Sequence, residues 1–182
     1  MKMRERLLTA IIMLSGLVSC TKSDSLYCHI PASLVVDNAY QAPALHTACT
    51  SLGEFCSVTM DGQKIYFQGS KETSPINRVA LSNYSTTILG LGGLIIGLPA
   101  LPEIGKDVSQ VVCFDLNCPN CYEQYEGITK RMTLSGSTAH CRGCGRTYDL
   151  NNQGIVSQGG SGRPLFRYRA SYVGNALVVS NR

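Results

Sequence analysis

The chain has 182 residues, enough for one domain with a real hydrophobic core, and charged residues make up only 15% of it with a net charge of +4. The basic residues form no run or dense stripe, which excludes an ordinary nucleic-acid-binding face. Eighteen glycines, no tryptophan and many short apolar runs favour a turn-rich β protein over a helical one, and nine cysteines point to ligands, disulfides or both.

Residues 1–19 read as a signal peptide. Lys2, Arg4 and Arg6 form a basic head, and Leu7 to Val18 form an apolar centre. That centre is too short to span a bilayer, which takes roughly 20 residues. It ends in Leu17-Val18-Ser19-Cys20, which resembles the lipobox of bacterial lipoproteins. The resemblance implies cleavage before Cys20, diacylation of its thiol and acylation of the new N-terminus. Several acyl chains anchor stably where one binds only marginally. The alternative is an ordinary signal peptide with an incidental cysteine. Cleavage removes Lys2, Arg4, Glu5 and Arg6, a net +2, so the mature chain carries +2 of the original +4. Residues 20–27 are then the lipidated cysteine and a small polar tether. The expected location is the bacterial cell envelope, on the periplasmic side or at the outer membrane.

Residues 28–182 read as one domain. Leu34-Val35-Val36 is a short strand. Phe55 to Met60 and Lys64 to Phe67 flank Asp61-Gly62, a strand, a tight turn and a strand. Thr87 to Leu101 is the most apolar stretch after the leader. Four glycines, a proline and a length of about 15 residues argue against a membrane span. Gly92-Gly93 followed by Leu94-Ile95-Ile96 reads as a turn leading into a buried strand. Val111 to Leu116 is a strand entering the first cysteine pair. Ser135-Gly136 and Gly174-Asn175 mark two further hairpins. Phe166-Arg167-Tyr168-Arg169 alternates as a strand with one wet face does. No helix of three turns is expected after residue 20. The expected fold class is all-β: an antiparallel β-sandwich with a small metal-binding subdomain spanning residues 113–150.

Cys118-Pro-Asn-Cys121 is followed, after nineteen intervening residues, by Cys141-Arg-Gly-Cys144. Two such CxxC turns, each at a hairpin tip, would present four sulfurs in a rough tetrahedron. That suits Zn²⁺ or an iron–sulfur centre. Pro119 stiffens the first turn. Gly143 and Gly145 let the second loop turn its backbone N–H groups towards the sulfurs, which stabilises thiolate charge. Export leaves disulfides as the competing use of the same pairs.

The residues that follow narrow the reading. Cys141-x-x-Cys144-Gly145-Arg-Thr-Tyr148-Asp149, then Gly154, Gly159-Gly160, Arg163-Pro164-Leu165 and Tyr168, resemble the second cluster-binding box of Rieske [2Fe–2S] proteins. Val112 to Pro119 resembles the strand entering the first box. The resemblance covers residues 111–180 well and 92–182 loosely. It implies a Rieske-like fold, and a role for Tyr148 in donating its hydroxyl to a cluster sulfur. An ordinary core tyrosine is the other role open to Tyr148. Arg146 stands where many members of that family place a serine donor. The family ligates one iron with two histidines. Here Cys144 takes the second histidine position, and the first falls at Asn120, beside Cys121. The high potential of a histidine-ligated centre therefore does not carry over.

With Cys20 acylated and four cysteines ligating, Cys28, Cys49, Cys56 and Cys113 remain. Cys113 reads as a small buried residue, and one disulfide is expected among Cys28, Cys49 and Cys56. No nucleophile–base pattern, phosphate loop or paired carboxylate is recognisable, so no catalytic residue is assigned. Three functions follow: a lipid-anchored one-electron carrier with a [2Fe–2S] centre and an envelope redox partner; the same fold with a structural four-cysteine zinc site, acting as a binding or assembly module; or a metal-free, disulfide-stapled β domain.

Overall fold

A computed structural model describes residues 26–125 and 127–181. The expected signal peptide, Cys20 and the tether through Ser25 lie outside the described residues. The fold is all-β. Thirteen strands among the described residues form two antiparallel sheets.

The larger sheet has the order β4(Thr73–Asn77), β3(Lys64–Gln68), β2(Phe55–Asp61), β6(Leu94–Gly97), β7(Val112–Asp115), β12(Arg167–Val173), β13(Ala176–Ser180), β1(Ala32–Val36), β5(Ile88–Leu89). β12 turns the corner. Its first residues, Arg167 and Tyr168, pair with β7, and Arg169 to Val173 pair with β13. The sheet thereby folds over one core. Leu34, Leu177 and Val179 from one end share it with Val58, Ile65, Phe67 and Leu94 from the other. The smaller sheet, in the order β11(Ile155–Gln158), β10(Thr147–Asp149), β9(Thr138–His140), β8(Thr133–Ser135), is inserted between β7 and β12.

The period of two along a strand explains how the sheets meet. On β6, Leu94 and Ile96 face the first core, while Ile95 faces a second. On β7, Cys113 faces the first and Val112 and Phe114 face the second. Both strands are buried on both sides, which is why the stretch around Leu94 reads as a continuous apolar run rather than an alternating one. The second core packs Phe55, Ile95 and Phe114 against Met132, Ala139, Tyr148, Leu150 and the buried cysteines of the small sheet. No helix among the described residues is long and apolar enough to cross a membrane.

The three expected hairpins form. Asp61 pairs with Lys64 and Ser135 with Thr138, so both two-residue loops begin one position later than the motif, at Gly62 and Gly136. At the third, Val173 pairs with Ala176, and Gly174 and Asn175 both have positive φ, at 57° and 68°. That is the left-handed pair a twisted two-residue hairpin needs. Two short α-helices are present among the described residues: α1(Pro43–Thr50) and α2(Pro119–Gln124), each with its proline in the first turn. α1 buries Ala44, Leu45, Ala48 and Cys49 against the sheet. The helical spacing of those four residues is present in the sequence, but eight residues is too short for the pattern to stand out.

A buried carboxylate joins the strands to the small sheet. Asp115, at the end of β7, is fully buried. Its Oδ2 accepts from Tyr168 Oη at 2.6 Å and Leu91 N at 2.8 Å. Its Oδ1 accepts from Gly92 N at 3.1 Å and Asn117 N at 2.7 Å. Burial raises the Asp115 pKa, and these donors oppose the rise. Only glycine fits at position 90, since a Cβ there would lie 2.2 Å from Asp115 Oδ2. Asn117 extends the lock. Its Oδ1 accepts from Lys130 N, and Cys118 N donates to the Lys130 carbonyl at 2.9 Å.

Candidate metal centre

Cys118, Cys121, Cys141 and Cys144 come together, with all four Sγ atoms within 4.8 Å of one another. Cys118 and Cys144 approach to 3.6 Å, as do Cys121 and Cys141. Three of the four are buried and Cys144 is half-buried. Four thiolates about 2.3 Å from one ion define a tetrahedron with edges of about 3.8 Å. The cluster therefore has the size and donor set to hold one metal ion.

The local fold that delivers these sulfurs differs in part from the expectation. The second pair does sit in the loop of the β9–β10 hairpin, closed by His140 opposite Thr147. The first pair sits on a helix start and not on a hairpin tip: Cys118 is the N-cap of α2, Pro119 opens its first turn, and Cys121 follows one turn on. Proline at the first helical position is the signal for this in the sequence.

The sulfurs are supported by N–H and O–H donors. The Cys121 backbone N–H and the Tyr148 hydroxyl both serve Cys118 Sγ, the latter at 3.1 Å. Cys144 Sγ receives the backbone N–H and the guanidinium of Arg146. Gly145 shapes this loop. Its N–H goes to the Cys141 carbonyl at 2.9 Å, and its φ of +72° makes the turn that lets Arg146 point at the sulfur. Gly143 gives close packing instead of a donor, since a Cβ there would lie 3.2 Å from Cys121 Sγ.

These contacts set the acidities. Burial raises Cys144, but the Arg146 N–H and side chain and the neighbouring thiols outweigh it and hold the group down at about 7. Burial raises Cys118 despite the Tyr148 hydroxyl, and burial together with the adjacent thiols raises Cys121. Tyr148 is raised too, by burial and by the sulfur beside it, and so remains a donor.

Asn120, which stands where the Rieske resemblance would place a histidine, has a different task. Its Nδ2 donates to Tyr148 Oη at 2.8 Å, leaving the phenol proton for Cys118. The same amide clasps residue 163 through backbone contacts at 2.9 and 3.0 Å, fixing α2 against the loop that follows β11. Arg163 also pairs with Glu123, both exposed. Asn120 and Asp115 carry no assigned role in the sequence reading, because their partners, Asn117 apart, lie 23 to 53 residues away.

Cys28, Cys49, Cys56 and Cys113 are free thiols in this structure, in or against the first core. The disulfide expected among the first three is not formed here. Cys56, Ile96, Cys113 and Tyr168 follow one another across β2, β6, β7 and β12. Cys28 is bonded through its N–H to Arg167 at the β12 end of that row, three strands from Cys56.

No protein-family model, no curated protein and no solved structure gives a significant match to this chain.

Proposed function

We propose that this chain is a lipid-anchored envelope protein whose β domain is held together by one mononuclear metal ion, zinc above all, on Cys118, Cys121, Cys141 and Cys144, and that it serves as a binding or assembly module at the membrane surface. One observation carries the metal reading: all six sulfur–sulfur separations are 4.8 Å or less. Two irons bridged by sulfides would need sulfurs on opposite irons more than about 5 Å apart. A single tetrahedral ion needs no such opening. When bound, zinc supplies a cross-link between α2 and the β9–β10 loop, and no redox chemistry. The chain's own residues do the rest: Tyr148, Arg146 and the Cys121 N–H offset thiolate charge, and the second core closes over three ligands.

The Rieske resemblance enters as a resemblance of fold. What supports it is the small metal-bearing sheet inserted between β7 and β12 of a larger antiparallel one. One observation favours electron transfer as a second reading: Cys144 is only half-buried, so one sulfur edge lies near solvent. Mononuclear iron in the same tetrahedron would suit that role.

X-ray absorption at the metal edge tests the proposal. A mononuclear site gives four sulfur neighbours at about 2.3 Å and no second metal in the next shell. A metal–metal distance would refute it. The intact mass of the membrane-extracted protein tests the anchor: acyl mass on Cys20 supports it, and an unmodified Cys20 removes it.

A further inference from the structure

Residues 98–111 join β6 to β7 without a regular element. A loop of that length in a compact domain is ordinarily a functional one. Three of its apolar side chains are exposed: Leu101 is 71% exposed, Val108 67% and Ile104 100%. Ile104 sits at the tip of a tight turn closed by Lys106 N to the Glu103 carbonyl at 2.9 Å, with Gly105 at φ +82°. Lys106 and Asp107 balance each other there, and Glu103 is neutralised by Arg167. The tip carries no net charge.

The position of this loop is what gives it meaning. Arg167 is buried and pairs with Glu103, the residue before Ile104. The same residue accepts the Cys28 N–H at 3.0 Å through its carbonyl, and its guanidinium lies 5.8 Å from the Tyr27 ring. The loop and the point where the chain enters the domain are thus fastened to one residue. Leu26, half-exposed, is the first described residue of the entering chain. From Cys20 to Leu26 the chain reaches at most about 20 Å. An acyl anchor on Cys20 therefore keeps the point of chain entry, and the loop fastened there, within reach of the bilayer.

We propose that Leu101, Ile104 and Val108 form a lipid-contacting foot that seats in the bilayer surface and orients the domain on its membrane. The proposal rests on the lipid-anchor reading. Apolar insertion without a basic patch means that neutral lipid suffices. Acyl chains and foot together are two attachments, and they fix an orientation that acyl chains on a tether alone would leave free.

The chain has no tryptophan, so single tryptophans report cleanly. The full acylated chain carrying Ile104→Trp is reconstituted in phosphatidylcholine vesicles with and without brominated acyl chains. Val173→Trp, at a position 77% exposed at the far end of β12, is the control. Flotation of each, and of Cys20→Ser, reports the anchor separately. The expected result is flotation reduced at least tenfold by Cys20→Ser, with the emission of Ile104→Trp shifted to the blue and quenched by bromine at least threefold more than that of Val173→Trp. Flotation through Cys20 with Ile104→Trp quenched no more than Val173→Trp overturns the foot and leaves the anchor standing. No flotation, with Cys20 unmodified by mass, overturns the anchor and the foot with it.

Discussion

Tyr148→Phe separates a residue that serves the metal from one that only fills the core. The ring stays, so the packing of the second core is retained. The hydroxyl goes, and with it the bond to Cys118 Sγ at 3.1 Å and the acceptor for Asn120 Nδ2 at 2.8 Å. A hydrogen bond to a charged acceptor contributes about 1.5–3 kcal/mol, and one between neutral groups about 1 kcal/mol. Metal binding turns Cys118 from thiol to thiolate, so the loaded protein loses more than the metal-free protein does, by about 1–1.5 kcal/mol. That difference corresponds to roughly tenfold weaker binding. The assay is zinc competition against a chromogenic chelator, paired with thermal melts of loaded and metal-free protein. The expectation is affinity reduced about tenfold and a larger fall in melting temperature for the loaded form. Equal affinity, with the same fall in both forms, would refute the reasoning and leave Tyr148 as a core tyrosine.

Other consequences follow from the same geometry. Cys118 and Cys121 are raised in the metal-free fold and so are protonated at neutral pH; metal uptake must release both protons. Affinity then rises with pH by about a hundredfold per unit below those pKa values, which calorimetry in buffers of different ionisation heat would read as at least two protons per metal. In metal-free protein, iodoacetamide should label Cys144 first, since it is half-buried and held at about 7, while Cys49 (pushed up to about 12), Cys56 and Cys113 stay unlabelled until unfolding. Metal should protect Cys144, and mass mapping would check both. Asp115→Ala leaves four donors, three of them buried, without their acceptor and should cost about 3–5 kcal/mol in chemical denaturation. Gly90→Ala, whose Cβ would press on the same carboxylate and lie 2.4 Å from Tyr168 Oη at a φ of +63°, should destabilise by at least about 2 kcal/mol and should stay destabilising once Asp115 is gone.

The sequence is informative where the physics is local. Asp61-Gly62, Ser135-Gly136 and Gly174-Asn175 mark hairpins because left-handed backbone needs glycine or asparagine, and each hairpin forms within a residue of its motif. The two CxxC pairs mark the sulfur cluster because matched spacing brings thiols to one side of a turn. What stays hidden depends on distant partners. An aspartate in Val-Cys-Phe-Asp-Leu looks like a strand residue facing water; only Leu91, Gly92 and Tyr168, brought in by the fold, turn Asp115 into a buried lock. Asn120 looks like a vacant ligand position, and it orients Tyr148 and clasps residue 163. The helix that starts at Pro119 reads as a plain turn, because six residues give no periodicity to recognise.

The central claim is a single ion on four thiolates, and the most direct test is metal and acid-labile sulfide content together with the visible spectrum of anaerobically purified protein, repeated after iron–sulfur reconstitution. The account predicts one metal per chain, no labile sulfide, and a colourless protein when that metal is zinc, with binding lost in Cys118→Ser and Cys141→Ser. Two irons and two sulfides per chain, with a coloured spectrum that bleaches on reduction, would contradict it.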